Sequence, residues 1–368
     1  MHDSKIIQRN YGIDLLRIIS MCFVLLLHVL GAGGILNSTE PYSLKYETMW
    51  IIESLAYCAV NCYALISGYV GVFSKYRFSN FIVLWIRVLF YSVIITLIMK
   101  CFFPQTVGIK AIVCAFFPVF TGQYWYFTAY FVLFLFIPLL NHIIKTFNQR
   151  VLFICIIGII ISFSIINPVF DIVFGDVLEL NDGYSALWLI VMYLVGGYIR
   201  KYGLFTSLTT KILLALYFLS SLLTLVSKNA IQLITKAVFG RELYGNLFVS
   251  YTSITVLTAG IFLLLFFEKI TIKNRTVIKI INVLSPLSFS VYIIHAQPVL
   301  YEMLIKDKFI WITDYATPVM VAVIIGIVIG IFGACCLIEQ VRERLFTLLH
   351  FKDKLRLAES KLKTKVLK

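Results

Sequence analysis

Long apolar runs separated by short polar segments dominate the pattern of this chain. The runs repeatedly reach roughly 17–25 residues, the length that a helix needs to cross a hydrocarbon core about 30 Å thick. Backbone groups in hydrocarbon must satisfy their own hydrogen bonds, so each run predicts a transmembrane helix. The polar–apolar alternation of an outer-membrane barrel does not occur. The predicted spans are 13–35, 49–72, 81–103, 124–144, 151–170, 185–200, 209–227, 248–267, 285–305 and 317–338.

The pattern therefore predicts an all-α fold, a polytopic transmembrane bundle of about ten helices. Residues 107–120 are apolar but interrupted by Lys110 and Pro118, which indicates an interfacial or re-entrant segment. Composition agrees, because 61% of the 368 residues are apolar and 14% are charged, against about 45–50% and 25% in soluble domains. Residues 1–338 form the predicted membrane domain. Residues 339–368 form a basic cytoplasmic tail, which we expect to be helical and to lie on anionic lipid.

Basic residues predict the orientation of the bundle. With the N-terminus in the cytoplasm, 22 of the 32 basic residues fall in cytoplasmic segments and 8 in outer loops. This bias is the one that the positive-inside rule predicts for an even number of spans with both termini inside. It accounts for most of the net charge of +14, so nucleic acid is not needed as a partner. The outer loop 171–184 carries four acidic residues and no Lys or Arg, and it is a candidate lining for a polar acceptor site.

The eight cysteines all lie in or beside apolar runs. None stands in a polar loop at metal-ligand spacing with histidine, so they are interpreted as small buried hydrophobic residues. The sequence therefore predicts no metal site.

Ionisable residues inside a span are costly in hydrocarbon and indicate function. Arg17 and His28 lie in the first span, eleven residues apart. At about 100° per residue both project from one face, separated by roughly 16 Å along the axis. Arg17 is expected near the cytoplasmic surface, where Asp14 can pair with it. His28 lies deeper, and it either joins helices by hydrogen bonds or acts chemically.

Three further spans carry polar groups. Arg87 lies about two turns inside the third span and requires an anion, either a carboxylate of the bundle or a ligand phosphate. Glu53 enters the second span from the outer side, at a depth similar to that of His28. The ninth span carries one polar stripe at i, i+4 and i+7, formed by Ser288, Tyr292 and His295.

These groups form a gradient, with arginines toward the cytoplasm and histidines and a carboxylate at the middle and outer levels. Two chemistries fit this gradient. One is group transfer across the bilayer, with histidine as base or acceptor. The other is a proton-coupled transporter or a flippase for a glycan or lipid-linked sugar. No internal repeat of the kind common in transporters is visible, but the residues alone leave both chemistries open.

Four segments, in order along the chain, resemble the family-3 integral-membrane acyltransferases of bacteria. They are the Arg-x10-His pattern of Arg17 and His28, the aromatic-x3-Ser-Gly-aromatic element of residues 63–69, the run of residues 122–127 that ends in Trp-Tyr-Phe, and the Ser-x3-Tyr-x2-His element of residues 288–295. The matches are spread over residues 11–298, and together with ten spans they form a fairly specific signature. On this resemblance, residues 1–338 are expected to be a membrane acyltransferase domain.

The resemblance implies transfer of an acyl group, usually acetyl, from cytoplasmic acyl-CoA to a hydroxyl of a cell-surface polysaccharide such as capsule or exopolysaccharide. It implies that His28 is catalytic, as base or transient acyl carrier, and that Arg17 and Arg87 bind the CoA phosphates. Glu53 and His295 complete the candidate catalytic set, as groups that orient His28 or the acceptor. The expected location is the bacterial cytoplasmic membrane, and the expected partners are the lipid bilayer, acetyl-CoA and the glycan.

The chain departs from the family pattern in the third span. Many members carry an Arg-x2-Arg pair there, whereas Leu84 stands three residues before Arg87. Lys75 and Arg77 are the basic residues that can compensate, and they complete the predicted set of cofactor-binding residues.

Overall fold

The computed structural model of the protein describes residues 9–350 and residue 354. Residues 9–350 form helices and turns and contain no β-strand. The helices are α1 Tyr11–Leu27, α2 Ile35–Ser38, α3 Leu44–Ala56, α4 Ala59–Gly71, α5 Phe78–Phe102, α6 Ile109–Phe116, α7 Trp125–Thr146, α8 Gln149–Ile161, α9 Asn167–Phe174, α10 Ala186–Tyr202, α11 Thr210–Phe239, α12 Ile254–Lys269, α13 Arg275–His295, α14 Pro298–Leu304 and α15 Thr317–Leu348. Short π-helical turns, His28–Ala32 and Ser162–Ile166, follow α1 and α8.

Eight helical segments in the described part of the chain are long and apolar enough to cross a membrane. They are α1–α2, α3–α4, α5, α7, α8–α9, α11, α13 and α15. Two shorter helices, α10 with 17 residues and α12 with 16, correspond to the sixth and eighth predicted spans. The all-α, polytopic prediction is confirmed, and each of the ten predicted spans has a helical counterpart.

Predicted boundaries of the seventh, ninth and tenth spans are wrong. The seventh span was predicted to end at 227, whereas α11 continues to Phe239. The ninth helix begins at Arg275 rather than at 285, because the side chain of Asn274 caps it by accepting from the N–H groups of Thr276 and Val277. It ends at His295, and α14 starts afresh at Pro298. A proline disfavours the helical conformation of the residue before it. Because α13 begins at Arg275, most of the predicted 268–284 loop is helix.

The last helix continues past the predicted end at 338 to Leu348. Glu339 and Arg342 are buried, so the first turns after residue 338 pack against the other helices of the bundle. Residues 351–353 and 355–368 of that tail lie outside the described residues. The predicted interfacial segment 107–120 contains α6, a helix of eight residues that packs against α5.

Helix α1 lies at the centre of the bundle, where it contacts α3, α4, α12, α13 and α15. Helices α4 and α10 pack most extensively, and small residues bring their backbones together. A side chain at Gly68 would overlap the backbone of Tyr193, and one at Gly196 would overlap the backbone of Leu65. Small residues at the contact are typical of helices packed in membranes.

The bundle has two distinct ends. At the end where α1 begins, which we call the basic end, Asn10 donates to the carbonyl of Glu268 and Lys201 donates to that of Ile144. Lys269 lies on the same end. The opposite end carries the loop that precedes α10, with Asp176, Glu179 and Asp182, and the end of α9 with Asp171. The charge bias in the sequence therefore corresponds to two physical faces.

Candidate active site

A cavity of about 560 Å³ in the bundle contains His28 and Glu53. We call it the larger cavity, to distinguish it from a smaller one at the basic end; an open groove between α13 and α15, about 730 Å³ in volume, contains neither residue. Its lining extends to Tyr184, Tyr251 and Glu302, which lie on loops and on the short helix α14 at the end opposite the basic end. Because Glu302 is exposed, the cavity has its mouth at that end. The lining is mostly apolar and aromatic with a few polar groups, which is typical of small-molecule sites.

Backbone irregularities position the two histidines. His28 begins the π-helical turn that follows α1, and π-helical turns inside helices are frequent at functional sites. The chain then bends at Gly34, whose φ of 92° favours glycine. His295 is the last residue of α13, immediately before the break that Pro298 enforces. Both side chains thus lie where their helices end beside the cavity.

His28 and His295 form a direct hydrogen bond, with 2.9 Å between Nδ1 of His28 and Nε2 of His295. Nδ1 of His295 lies 2.6 Å from the carbonyl oxygen of Val291, which can only accept, so this nitrogen carries a proton. In a neutral His295, Nε2 is then the acceptor, and Nδ1 of His28 donates to it. The chain of bonds leaves Nε2 of His28 unprotonated, as a general base or a nucleophile requires.

Tyr301 completes the immediate surroundings of His28. Its ring meets the imidazole edge-on, with 5.3 Å between ring centroids and an interplanar angle of 86°. Burial raises the pKa of Tyr301 to about 12, so its hydroxyl stays protonated at neutral pH and can donate a hydrogen bond. Gln123 also lines the cavity, and its side-chain oxygen accepts from Ser92 at 2.8 Å. That bond leaves the amide N–H groups of Gln123 available.

Glu53 shares the cavity with His28, but no hydrogen bond joins the two residues. Its side chain is 6% exposed, and its Oε2 is buried with no hydrogen-bond partner among the described residues. A buried carboxyl oxygen without a donor is unfavourable by about 1–3 kcal/mol or more. Of the two predicted orienting groups, His295 contacts His28, whereas Glu53 faces the cavity with a free oxygen.

Four aromatic rings form the cavity wall beside Glu53. Tyr184 contacts Trp125 and Tyr251, with ring centroids 4.4 and 4.9 Å apart. Tyr57, one turn after Glu53 on the same chain segment, contacts Tyr251 at 5.3 Å. The amide of Asn61 fixes this wall by donating to the carbonyl of Tyr251 at 2.9 Å.

A smaller cavity of about 390 Å³ at the basic end contains Arg17, together with Arg9 and Arg200. Asp14 pairs with Arg17 at 2.8 Å, as predicted, and also with Arg9 at 2.6 Å. Three arginines against one aspartate leave this cavity with a positive charge. Such a set suits phosphate groups, which arginine binds through paired N–H donors.

Tyr63 stands between the two cavities. Its ring lines the larger cavity, and its hydroxyl donates to the backbone carbonyl of Arg17 at 2.9 Å. The sequence predicted that Arg17 and His28 lie on one face of the first helix. Each does face a cavity, but the two cavities lie at opposite ends, on either side of Tyr63.

Arg87 does not line the cavity that contains Arg17. Its guanidinium lies 3.4 Å from a carboxylate oxygen of Glu339 and donates to the hydroxyl of Ser290 at 3.2 Å. Glu339 also pairs with Arg342 at 2.6 Å. Of the two anions that the sequence left open for Arg87, the structure provides the carboxylate.

Lys75 and Arg77 are exposed in the segment between α4 and α5 at the basic end. Neither lines the smaller cavity, although Phe73 and Ser74 of the same segment do.

Sequence analysis missed Arg9, Arg200, Gln123 and Tyr301 as site residues. Arg200 stands in the last turn of α10, where basic residues are expected from membrane topology alone, so its position gave no separate signal. Gln123 lies in the run of residues 122–127 that resembles the family, but that resemblance gave it no role, and Tyr301 lies in a segment that carries no motif. Among residues 9–350, no group of three or more His, Cys, Asp or Glu side chains is placed to hold a metal ion.

Comparison with known proteins identifies the family. The sequence profile of acyltransferase family 3, described as an acyltransferase domain, matches residues 10–339. Searches of curated proteins and of solved structures found no match. The match covers nearly all of the helical bundle, including His28, His295 and every residue that lines the two cavities except Arg9. The chain therefore belongs to acyltransferase family 3 and is a membrane-embedded acyltransferase.

Proposed function

We propose that this acyltransferase is an O-acetyltransferase, which moves an acetyl group from acetyl-CoA to a hydroxyl of a cell-surface polysaccharide such as capsule or exopolysaccharide. The observation that carries the proposal is the hydrogen-bond chain from Val291 through His295 to His28. It holds the imidazole of His28 with a bare Nε2 beside a cavity large enough for a ligand.

Acetyl-CoA would bind at the basic end, with its phosphates held by Arg17, Arg9 and Arg200. The exposed Lys75 and Arg77 lie on the same end and can add to the attraction for an anionic donor. Arg17 and His28 are eleven residues apart, which is about 16 Å along a helix axis. The extended pantetheine arm would cover this distance by passing Tyr63, so that the thioester reaches His28.

In the transfer step, Nε2 of His28 takes the proton of the acceptor hydroxyl while its oxygen attacks the thioester carbonyl carbon. The carbon–sulfur bond then breaks, and the departing CoA thiolate takes the proton from Nε2. Gln123 and Tyr301 are the candidate donors for the negative charge that develops on the carbonyl oxygen. In the alternative route, His28 accepts the acetyl group itself and passes it to the hydroxyl.

The basic end would face the cytoplasm of a bacterial cell and the larger cavity would open outside, with both termini inside. The support for this orientation is the bias of basic residues toward one end of the bundle. It gives acetyl-CoA and the glycan separate entrances on the two sides of the membrane. Transport, the alternative that the residues alone left open, is disfavoured because the chain belongs to an acyltransferase family.

The test is an acetyl transfer assay with purified protein, acetyl-CoA and a surface oligosaccharide, in which both free CoA and the new ester are measured. His28→Gln keeps hydrogen-bonding capacity but lacks basicity, so we expect a loss of about 10²–10⁴ in rate. His142→Gln is the matched control, because His142 is exposed on α7 and lines neither cavity. Full activity of His28→Gln would contradict the proposal.

A further inference from the structure

The larger cavity offers no counter-charge to an anion. Among the described residues that line it, Glu53 and Glu302 are acidic, and none is Lys or Arg. Glu302 lies at the mouth, where it pairs with the exposed Lys306 at 3.0 Å. Glu53 lies inside and has no such partner. As an anion Glu53 repels a negative ligand, and as a neutral acid it provides no positive charge to attract one.

Glu53 requires a hydrogen-bond donor from the ligand. Its Oε2 is buried, and no described side chain or backbone group donates to it. Leaving a buried polar oxygen without a partner is unfavourable. A hydroxyl group is a donor of the right kind, whereas a carboxylate has only acceptor oxygens.

The surroundings of Glu53 fit a ring-shaped ligand. The faces of Tyr57, Trp125, Tyr184 and Tyr251 form a continuous aromatic wall with ring centroids 4.4–6.0 Å apart. A pyranose presents an apolar face of C–H groups that packs on such rings, while its hydroxyls point outward. The wall and the carboxyl group of Glu53 together form a built site for a polyhydroxylated ring.

The rim of the cavity adds negative charge. The backbone N–H of Tyr251 donates to the carbonyl of Asp182 at 2.9 Å, which holds the acidic loop beside the aromatic wall. Burial, and then the neighbouring Asp176, raise the pKa of Asp182, as expected where like charges approach. A ligand with its own carboxylate must pass this rim before it meets Glu53, and the field there is repulsive.

We infer that the acceptor unit entering this cavity is an uncharged sugar whose hydroxyls donate to Glu53, and that sugars bearing a carboxylate are excluded. The inference rests on the proposed function, and it deepens it by naming the acceptor class. It concerns the sugar unit inside the cavity, so the remainder of the polymer is free to carry charge outside.

The test is direct binding of matched sugar pairs to purified protein in nanodiscs of zwitterionic lipid, without acetyl-CoA. Methyl glucoside and methyl galactoside are each compared with the corresponding uronide by ligand-observed NMR. The neutral member of a pair is expected to bind at least tenfold more tightly. Glu53→Gln should bring the two within about threefold of each other, because the amide keeps the shape, cannot carry a negative charge and has N–H groups that can donate to a carboxylate.

Glu242→Gln is the matched control, since it removes an exposed carboxylate that lies outside the cavity. It should leave the tenfold preference unchanged. Three results would each overturn the inference. The uronide and the neutral sugar could bind equally, none of the four sugars could bind, or Glu53→Gln could leave the preference unchanged. The proposed function fails separately, when neutral sugars bind but no ester forms from acetyl-CoA.

Discussion

His295 is expected to act only through His28, and replacing it measures that role. His295→Phe keeps a ring of similar size but removes the acceptor nitrogen, so the Nδ1–H of His28 loses its partner at 2.9 Å. A buried donor without a partner is unfavourable by about 1–3 kcal/mol. The imidazole is then free to take the other tautomer or to turn away from the productive orientation. Because about 1.4 kcal/mol corresponds to a factor of ten, the turnover number should fall roughly ten- to a hundredfold.

The assay is the initial rate of CoA release at saturating acetyl-CoA with a glycan acceptor. His295→Gln retains a side-chain oxygen that can accept from His28, so its rate should lie between those of His295→Phe and the wild type. His142→Phe controls for loss of an exposed histidine. A wild-type turnover number in a well-folded His295→Phe protein would refute the orienting role and leave His295 as a packing residue.

Three further predictions follow from the cavity at the basic end, the buried ion pairs and the two faces of the bundle. Arg17→Ala and Arg200→Ala should each weaken acetyl-CoA binding about ten- to a hundredfold, because a charged hydrogen bond contributes about 1.5–3 kcal/mol. Titration of the purified variants measures this affinity, and unchanged binding in both would exclude a phosphate site. Glu339→Gln should lower the melting temperature, since removing one partner from a buried ion pair costs about 3–5 kcal/mol; an unchanged temperature would make the pair irrelevant to stability. In a cysteine-free background, Glu179→Cys should react with a membrane-impermeant maleimide in intact cells, and Lys273→Cys should react only after permeabilisation. Labelling of Lys273→Cys in intact cells and of Glu179→Cys only after permeabilisation would show the opposite orientation.

Hydropathy was sufficient to predict a helix at each of the ten positions but not to predict where each helix begins and ends. The helix from Arg275 begins in a polar stretch, so apolar content could not mark its start, whereas the cap at Asn274 does. The extension of α15 was missed for a different reason. Glu339 and Arg342 are charged, and the contacts of Glu339 with Arg342, Arg87 and Tyr91 make their burial acceptable. Contacts between distant helices leave no trace in local hydropathy.

The residues of the candidate site could likewise be predicted from sequence only in part. His28, His295 and Glu53 could be selected from sequence, because ionisable groups in apolar runs are few. Their arrangement could not, since the bond between His28 and His295 joins residues 267 positions apart. The arginines show most clearly that sequence does not predict which residues share a cavity. Arg17 and Arg87 were expected to share one ligand, but Arg87 is paired with Glu339 and Arg200 lies in the cavity with Arg17.

The ester-linked acetyl content of the cell surface tests the central claim most directly. A strain lacking the gene is complemented with the wild type or with His28→Gln, expressed at equal membrane abundance, and its purified surface polysaccharide is compared by NMR. The account predicts O-acetyl signals on the polysaccharide with the wild type and none above background with His28→Gln. Equal acetylation in the two strains would contradict it.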